Sequence, residues 1–426
     1  MDDFKTFKEQ LTLLLPLRRS LLGDATDQTI RVLGMGLPMN YLTFNSGEPV
    51  FDWTVPKEWV LKSASLKSPT GDVVVDANDS ALNVVNYSTP FSGQLSLEHL
   101  LDHLHSIEDK PTAVPYVTSY YAPSWGFCLP HIAKRNLEEG DYQVEIDSEF
   151  KDGALTVGEI KIEGETDREI FLTSYVCHPE MVNDEIAAPV ALSILANRIK
   201  NWSTRKFTYR IVFAPETIGS LCYLKKRGKH LTEKCDAGIV LSNIARDEPL
   251  RAKFSRTENS LIDRALKVYF RDEKNTGSLL PFSPFGSDER QYCSPGFDLP
   301  VCSMSKSAQD FPEYHSSLDN LESCSVEAAF ETVNQLEKLL QMIEKNSVWK
   351  NLFPFGEPNL GSRGLYPKLG GNNHKVNSLK PLMWLLNSAD GHRDLFHIAT
   401  LSGIAFSELV DGSEQLKNAG LISEVH

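Results

Sequence analysis

The chain has 426 residues, of which 41% are hydrophobic and 23% are charged, and its formal net charge at pH 7 is −14. This composition is typical of folded globular proteins and excludes a disordered or fibrous chain, while the length predicts two or three domains. The negative charge disfavours nucleic acid and anionic membranes as partners, because both require clustered Lys and Arg.

The N-terminal segment, residues 1–46, has helical periodicity. Apolar residues recur at helical spacing from Phe7 to Leu15 and again from Leu21 to Leu33, with a break at Gly23, which predicts two helices. The segment lacks the basic start and apolar core of a signal peptide. The seven cysteines of the chain do not have the spacing of a disulfide framework. We therefore expect a reduced, cytoplasmic protein. No apolar run approaches the about 20 residues that cross a bilayer, so we predict no membrane span.

Residues 47–115 have a different sequence pattern, which predicts a small inserted β-rich domain. Short β-rich runs at Trp53 to Val60, Val73 to Val75 and Leu82 to Tyr87 are separated by Gly, Pro, Asn and Asp. Runs of this length, bounded by turn-forming residues, are typical of strands in a small sheet.

Residues 116–348 alternate strand-like and helix-like segments, a pattern that predicts an α/β domain with a largely parallel or mixed sheet. The predicted strands are Tyr142 to Ile146, Ile170 to Cys177, Thr208 to Phe213, Ala237 to Ser242 and Leu299 to Met304. The predicted helices are Ala187 to Asn201, Leu261 to Phe270 and Val326 to Ile343.

Residues 349–373 are rich in Gly, Pro and Asn, which predicts a linker, and residues 374–426 then have the layout of a winged helix-turn-helix. Three short amphipathic helices are predicted at Leu379 to Leu386, Asp394 to Leu401 and Phe406 to Ala419, with a strand after them.

The charge of this C-terminal region disfavours DNA as its ligand. From Lys375 onward, the sequence contains four Lys or Arg and six Asp or Glu residues, a net charge of −2. We therefore expect an interaction module that contacts a partner protein or joins subunits. Its candidate contact positions are apolar residues beyond the needs of its own core: Leu382, Leu385, Leu395 and Leu409.

Short strings of polar residues stand where predicted strands end or loops begin. They are Cys177-His178-Pro179 with Asn183-Asp184, Pro215-Glu216-Thr217, Gly286-Ser287-Asp288 and Tyr314-His315. Ligands of α/β proteins bind at the carboxyl edge of the sheet, where such strings could converge. Zinc hydrolases usually supply three imidazole or carboxylate ligands and leave a position open for water. His178, Asp184 and His315 could be those ligands, and Glu216 the general base.

Each residue of this set also has a purely structural interpretation. An isolated His178 would more often be a histidine at a strand end with no ligand role. Asp184 could be the N-cap of the helix that follows it, and Glu216 could favour the N-terminal dipole of a helix beginning near Ile218. The occurrence of His178 together with Asp184 and His315 favours the metal site.

Candidate substrate contacts lie nearby. Asp288 ends the Gly-Ser-Asp run and Arg290 follows it, although Asp288, Glu289 and Arg290 could also be a solvated loop, and Tyr314 stands beside His315. Tyr121 and Trp125, with Phe127, could line a pocket, although aromatic residues at this density are more often part of a core.

Together the strings resemble the zinc-dependent aminopeptidase family, which includes bacterial leucyl aminopeptidases and, on the same fold, the glutaminyl cyclases. The resemblance covers roughly residues 116–343 and implies a three-layer αβα domain in which Glu216 is the base. The family's Glu-Glu-x-Gly string reads Glu216-Thr217-Ile218-Gly219 here, and no Asp stands cleanly after the next strand. The second metal therefore lacks ligands, and we expect one zinc per chain, held by His178, Asp184 and His315.

Over its whole length, the chain resembles a bacterial family that combines this domain, a small β domain and a C-terminal winged helix. Its members are labelled polysaccharide-biosynthesis proteins with an aminopeptidase-like domain. The resemblance implies a zinc metallopeptidase-like amide hydrolase whose substrate is a small peptide or an aminoacyl or acylamino conjugate. The alternative is a non-catalytic metal-binding scaffold that recognises a peptide or a sugar.

Overall fold

A computed structural model describes residues 2–308, 311–366 and 379–425. The helices are α1 (Asp3–Leu14), α2 (Asp24–Leu33), α3 (Leu97–Leu100), α4 (His131–Arg135), α5 (Ala187–Lys200), α6 (Ile218–Lys234), α7 (Leu261–Asp272), α8 (Glu289–Tyr292), α9 (Val326–Glu344), α10 (Lys380–Ser388), α11 (Leu395–Ser402) and α12 (Phe406–Asn418). Within the described ranges, no helix is both long enough and apolar enough to cross a membrane.

The strands are also numbered in chain order. They are β1 (Met39–Asn45), β2 (Pro49–Val50), β3 (Trp53–Thr54), β4 (Glu58–Lys67), β5 (Val73–Asp76), β6 (Phe91–Ser96), β7 (Leu104–His105), β8 (Phe127–Cys128), β9 (Asp141–Lys151), β10 (Ala154–Ile162), β11 (Glu169–Tyr175), β12 (Thr208–Ala214), β13 (Cys235–Leu241), β14 (Arg251–Lys253), β15 (Leu279–Leu280), β16 (Val301–Ser305), β17 (Val348–Asn351), β18 (Asp390–Asp394) and β19 (Ile422–Val425).

Eight strands form the main sheet, in the order β1-β10-β12-β11-β13-β16-β14-β15. Its centre is parallel, because β11 runs parallel to β12 and β13, and β13 runs parallel to β16. β1, β10 and β14 run antiparallel to their neighbours β10, β12 and β16. The sheet is therefore mixed, as the alternating pattern predicts.

Helices cover both faces of the main sheet. α1, α2, α5, α7 and α9 pack on one face, with Ile170 and Leu172 of β11, whereas α6 and α8 pack on the other face, with Phe171. Every residue of β11 and β12 is buried as a result, which explains their largely apolar sequence. The predicted three-layer αβα architecture is confirmed.

A separate four-stranded sheet has the order β5-β4-β9-β6. Its strand β9 pairs with β4 and β6, so our prediction that Tyr142 to Ile146 belongs to the α/β sheet is wrong. Exposed and buried residues alternate along β9, as in antiparallel strands with one solvated face. The small sheet thus draws on both sides of residue 115, where we predicted the β-rich insertion to end.

The C-terminal region has the three-stranded sheet β18-β17-β19 beside α10, α11 and α12. The helices agree with their predicted positions. β17 lies at Val348–Asn351, so the predicted linker 349–373 begins inside a strand, and its residues 367–373 lie outside the described residues. We expected the four candidate contact leucines of this region to be free for a partner, but they are at most 3% exposed and join the main core: Leu382, Leu385, Leu395 and Leu409.

Candidate metal centre

His178 lies just beyond β11, at the carboxyl edge of the main sheet. Its Nδ1 is 3.4 Å from Asp184 Oδ1, and the Nε2 of His315 is 3.1 Å from Asp184 Oδ2. One ligand atom from each of the three residues lies within 4.8 Å of the other two. The fold therefore brings together side chains from two distant parts of the chain.

Asp184 stands in an irregular turn before α5. Residues 182–186 form a single π-helical turn, in which Asp184 itself has non-helical dihedral angles. The backbone N–H groups of Asn183 and Asp184 donate to the Asp319 carboxylate at 2.7 and 2.8 Å. The N-cap of α5 is Ile186, and the Asp184 side chain instead accepts a hydrogen bond from Tyr175. Its carboxylate is thus directed at the two histidines and is not used as a helix cap.

His315 is fixed by its backbone and by two tyrosines. Its φ is +50°, in the left-handed region that a non-glycine residue rarely adopts. The Tyr314 ring stacks on the imidazole with a centroid distance of 3.9 Å, and Tyr116 contacts it edge-on at 5.4 Å. The N–H of Tyr116 donates to the His315 carbonyl at 2.8 Å. Such strained conformations persist where surrounding contacts enforce them, commonly at functional sites.

Three atoms of this cluster are buried without a hydrogen-bond partner in the described chain: His178 Nδ1, Asp184 Oδ2 and His315 Nε2. Buried polar atoms are almost always paired, so an unpaired group needs an explanation. Two imidazole nitrogens and one carboxylate oxygen are a typical ligand set for zinc. The residues present therefore fit a single bound metal ion.

Glu216 reaches the cluster from the end of β12. Its Oε2 is 3.8 Å from His178 Nε2, and its Oε1 accepts a hydrogen bond from Ser287 at 3.0 Å. The next residue, Thr217, has φ +61° and donates its N–H to Asp288 at 2.8 Å, while Arg290 donates to the Thr217 hydroxyl at 3.3 Å. Asp288 and Arg290, predicted as substrate contacts, thus hold the turn that carries Glu216.

The three aromatic residues predicted to line a pocket are placed elsewhere. Trp125 stacks between Phe91 and His103, at centroid distances of 4.3 and 3.7 Å, and packs on the core of the small sheet. Phe127 is buried in that same core. Tyr121 is half exposed and contacts Trp53 edge-on.

Burial and clustered charge shift the pKa values of the site. Burial would lower the pKa of His178, but Asp184, Glu185 and Glu216 outweigh it and raise that pKa to about 9. Burial would raise the pKa of Asp184, but His178 and His315 hold it well below its usual range. Burial raises the pKa of Glu185 to about 7 and also raises that of Glu216. The cluster therefore has an excess of negative charge, which a proton or a divalent cation would compensate.

Sequence reasoning missed the residues that support the ligands. The guanidinium of the buried Arg19 donates to the His178 carbonyl at 2.8 Å and lies 3.6 Å from Glu185. Asp319 follows His315 by four residues, which indicates a position near the site but not the contacts it makes there. Arg19 offered none, because it precedes the nearest ligand by 159 residues.

Comparisons with known proteins agree with the fold. The profile of a family described as a domain of unknown function, DUF4910, matches residues 8–346, and a winged helix-turn-helix profile matches residues 347–424. A Clostridium acetobutylicum protein, described as a candidate polysaccharide biosynthesis protein with an aminopeptidase-like domain, is 35% identical over 412 residues, or 97% of this chain and 94% of that protein.

Two solved structures are similar to the whole chain or to most of it. A crystal structure of a candidate peptidase from Clostridium acetobutylicum superposes with a TM-score of 0.90 at 32% identity, covering 100% of this chain and 98% of that chain. BSAP, a zinc aminopeptidase from Bacillus subtilis, superposes with a TM-score of 0.58 at 10% identity, covering 79% of this chain and 93% of that chain. At that identity, the second likeness concerns the fold alone.

The molecule is therefore an aminopeptidase-like α/β protein with a C-terminal winged helix, and the resemblance drawn from the polar strings is confirmed. The chain belongs to the DUF4910 family, whose profile ends where the winged helix begins.

Proposed function

We propose that this protein is a zinc-dependent amide hydrolase of aminopeptidase type, with one zinc ion per chain. His178, Asp184 and His315 would hold the ion. The convergence of three unpaired, buried ligand atoms beside the carboxylate of Glu216 is the observation that carries this proposal. Zinc bound there would polarise the scissile carbonyl and lower the pKa of a water molecule.

Glu216 has the position of a general base. One of its oxygens is held by the Ser287 hydroxyl, and the other faces His178, so the carboxylate cannot rotate freely. Burial raises the pKa of Glu216, which makes the carboxylate a stronger proton acceptor than an exposed one. The carboxylate would take a proton from the attacking water and deliver it to the leaving amine.

The substrate would be a small peptide or an aminoacyl or acylamino conjugate, since each presents an amide. We propose that the winged helix contacts a protein partner or a second copy of this chain, not nucleic acid. Its apolar side chains Met383, Trp384 and Leu401 are between 37% and 54% exposed and remain available for such a contact.

A metal-binding scaffold that recognises a peptide or a sugar without hydrolysis is the second candidate. Thr217 favours it, because the resemblance implies a second metal-binding carboxylate where this chain has a hydroxyl. A scaffold would bind its ligand without turnover, whereas a hydrolase would release amine from a panel of aminoacyl and acylamino compounds.

The proposal is tested first by the zinc content of the dialysed protein, measured by elemental mass spectrometry. We expect one equivalent in the wild type and in His392→Ala, a control at an exposed histidine, and a loss of zinc in His315→Ala. Zinc near zero in the wild type would reject the metal site. Two equivalents would reject the single-ion arrangement.

A further inference from the structure

A small cavity adjoins the candidate metal centre. It has a volume of about 170 Å³ and lies between the end of β13, the strands β14 and β16, and the turn before α8. Ser287, in its wall, donates to Glu216 at 3.0 Å. Ser307 also lies in its wall, and its hydroxyl accepts a hydrogen bond of 3.0 Å from the side-chain amide of Asn183. Asn183 directly precedes the proposed ligand Asp184. The cavity is therefore joined by hydrogen bonds to the general base and to the turn that carries a metal ligand.

Serine is the most frequent residue of its lining. The pairing of β14 with β16 sets Arg251 opposite Ser305 and Lys253 opposite Ser303, so these four side chains share one face of the sheet. Five serines from three separate segments of the chain line the cavity: Ser242, Ser287, Ser303, Ser305 and Ser307. Hydroxyls both donate and accept hydrogen bonds, so this lining suits a ligand that does the same.

Two buried acceptor atoms of the lining have no partner among the described residues. They are Asn243 Oδ1 and Glu289 Oε2, on side chains that are each only 1% exposed. A buried, unpaired acceptor costs about 1–3 kcal/mol unless a ligand or a water molecule donates to it. A ligand with hydrogen-bond donors would satisfy both atoms.

Charge narrows the ligand class further. Lys253 is 2.5 Å from Glu289 Oε1 and already neutralises that carboxylate, while Arg251 adds a second cation. The positive charge of Lys253 and Arg251 would repel a ligand that carries an ammonium group. A carboxylate would face the unpaired oxygens of Asn243 and Glu289, which repel it. A neutral group with several hydroxyls satisfies donors and acceptors alike.

We propose that this cavity is a subsite for a neutral, polyhydroxylated group, such as a monosaccharide ring, carried by the substrate beside the scissile amide. Sites for drug-sized ligands begin at about 300 Å³, so the cavity is suited to a single ring and not to an extended peptide. Its role as a substrate subsite rests on the proposed hydrolase function, but the binding itself does not.

Saturation-transfer NMR with N-acetylglucosamine tests the subsite, with glycylglycine as the peptide probe. We expect transfer to the sugar in the wild type and about tenfold weaker binding in the double variant Ser303→Ala/Ser305→Ala, which removes two hydroxyls from the lining. The matched control is Ser63→Ala/Ser65→Ala, two serines at the same spacing on β4 of the small sheet. Thermal unfolding verifies that both variants are folded.

The same experiment on Glu216→Gln separates this inference from the proposed function. We expect that variant to bind the sugar like the wild type, because Glu216 does not line the cavity. Sugar binding by the wild type without any amide turnover by the wild type would retain the subsite and reject the hydrolase. No transfer to the sugar, or equal binding in both serine variants, would overturn the subsite, as would stronger transfer to glycylglycine.

Discussion

The main domain buries two clusters of charged side chains, and they differ in how their charges are balanced. Near the amino ends of β11 and β12, Arg210 pairs with Glu159 and Glu169 at 2.6 Å each, and Arg227 and His230 add further contacts to the same carboxylates. We call these five residues the ionic cluster. At the carboxyl ends of the same strands, the metal centre leaves ligand atoms without partners among the described residues.

The contrast separates a structural cluster from a functional one. Every carboxylate of the ionic cluster has a cationic partner within 3 Å, so nothing further is needed to satisfy it. In the metal centre, Asp184, Glu185 and Glu216 surround one buried histidine. A buried cluster with polar atoms that no protein group pairs indicates a ligand, whereas a cluster whose charges are all paired indicates a role in folding.

The largest effect is expected for the base of the metal centre. Glu216→Gln should lower kcat by about 10²–10⁴-fold, because the amide cannot accept the water's proton. Its zinc content should stay unchanged, since Glu216 is outside the proposed ligand set. The control is Glu139→Gln, at an exposed glutamate. Full activity of Glu216→Gln on the amide panel would reject the assignment of the base.

The ionic cluster should respond in stability and not in metal content. Arg210→Met leaves Glu159 and Glu169 buried with fewer partners, so the free energy of unfolding should fall by about 3–5 kcal/mol. Arg227→Met removes a partly exposed partner of Glu159 and should lower the free energy of unfolding by about 1 kcal/mol or less. Urea unfolding measures both. If Arg210→Met also lost zinc, the two clusters would not be independent.

These clusters show which parts of the molecule the sequence could predict. The apolar runs of β11 and β12 and the polar residues after them predicted the sheet and the convergence of His178, Asp184 and His315. Strand β9 was misassigned because its periodicity shows that one face is buried, not which sheet it joins. Asp319 stands close to His315 in the chain, but its role was not predictable because it acts through backbone N–H groups, which leave no pattern in the sequence.

Asp319 offers a smaller perturbation of the metal centre. Removing its carboxylate in Asp319→Ala frees the N–H groups of Asn183 and Asp184 and loosens the turn that aims the Asp184 ligand. Residues that orient a ligand typically contribute about 10–100-fold to metal affinity, so we expect a loss of about that size. Zinc competition with a chelator measures the affinity, and Asp109→Ala, at an exposed aspartate, is the control. Unchanged affinity in Asp319→Ala would show that the turn holds its shape without this carboxylate.

The smallest effect is a pH dependence that arises from Glu159 of the ionic cluster. Burial would raise the pKa of Glu159, but hydrogen bonds from Arg227 and Tyr223 and the charge of Arg210 lower it to about 2. Between about pH 2 and pH 4.5 the folded state therefore binds fewer protons than the unfolded state, so this stabilisation is complete above pH 4.5 and is lost on acidification. Arg210→Met raises the pKa of Glu159 towards its ordinary value. Urea unfolding from about pH 5 to about pH 3.5 should thus give a shallower decline for Arg210→Met than for the wild type, whereas parallel declines would mean that Arg227 and Tyr223 alone set the pKa.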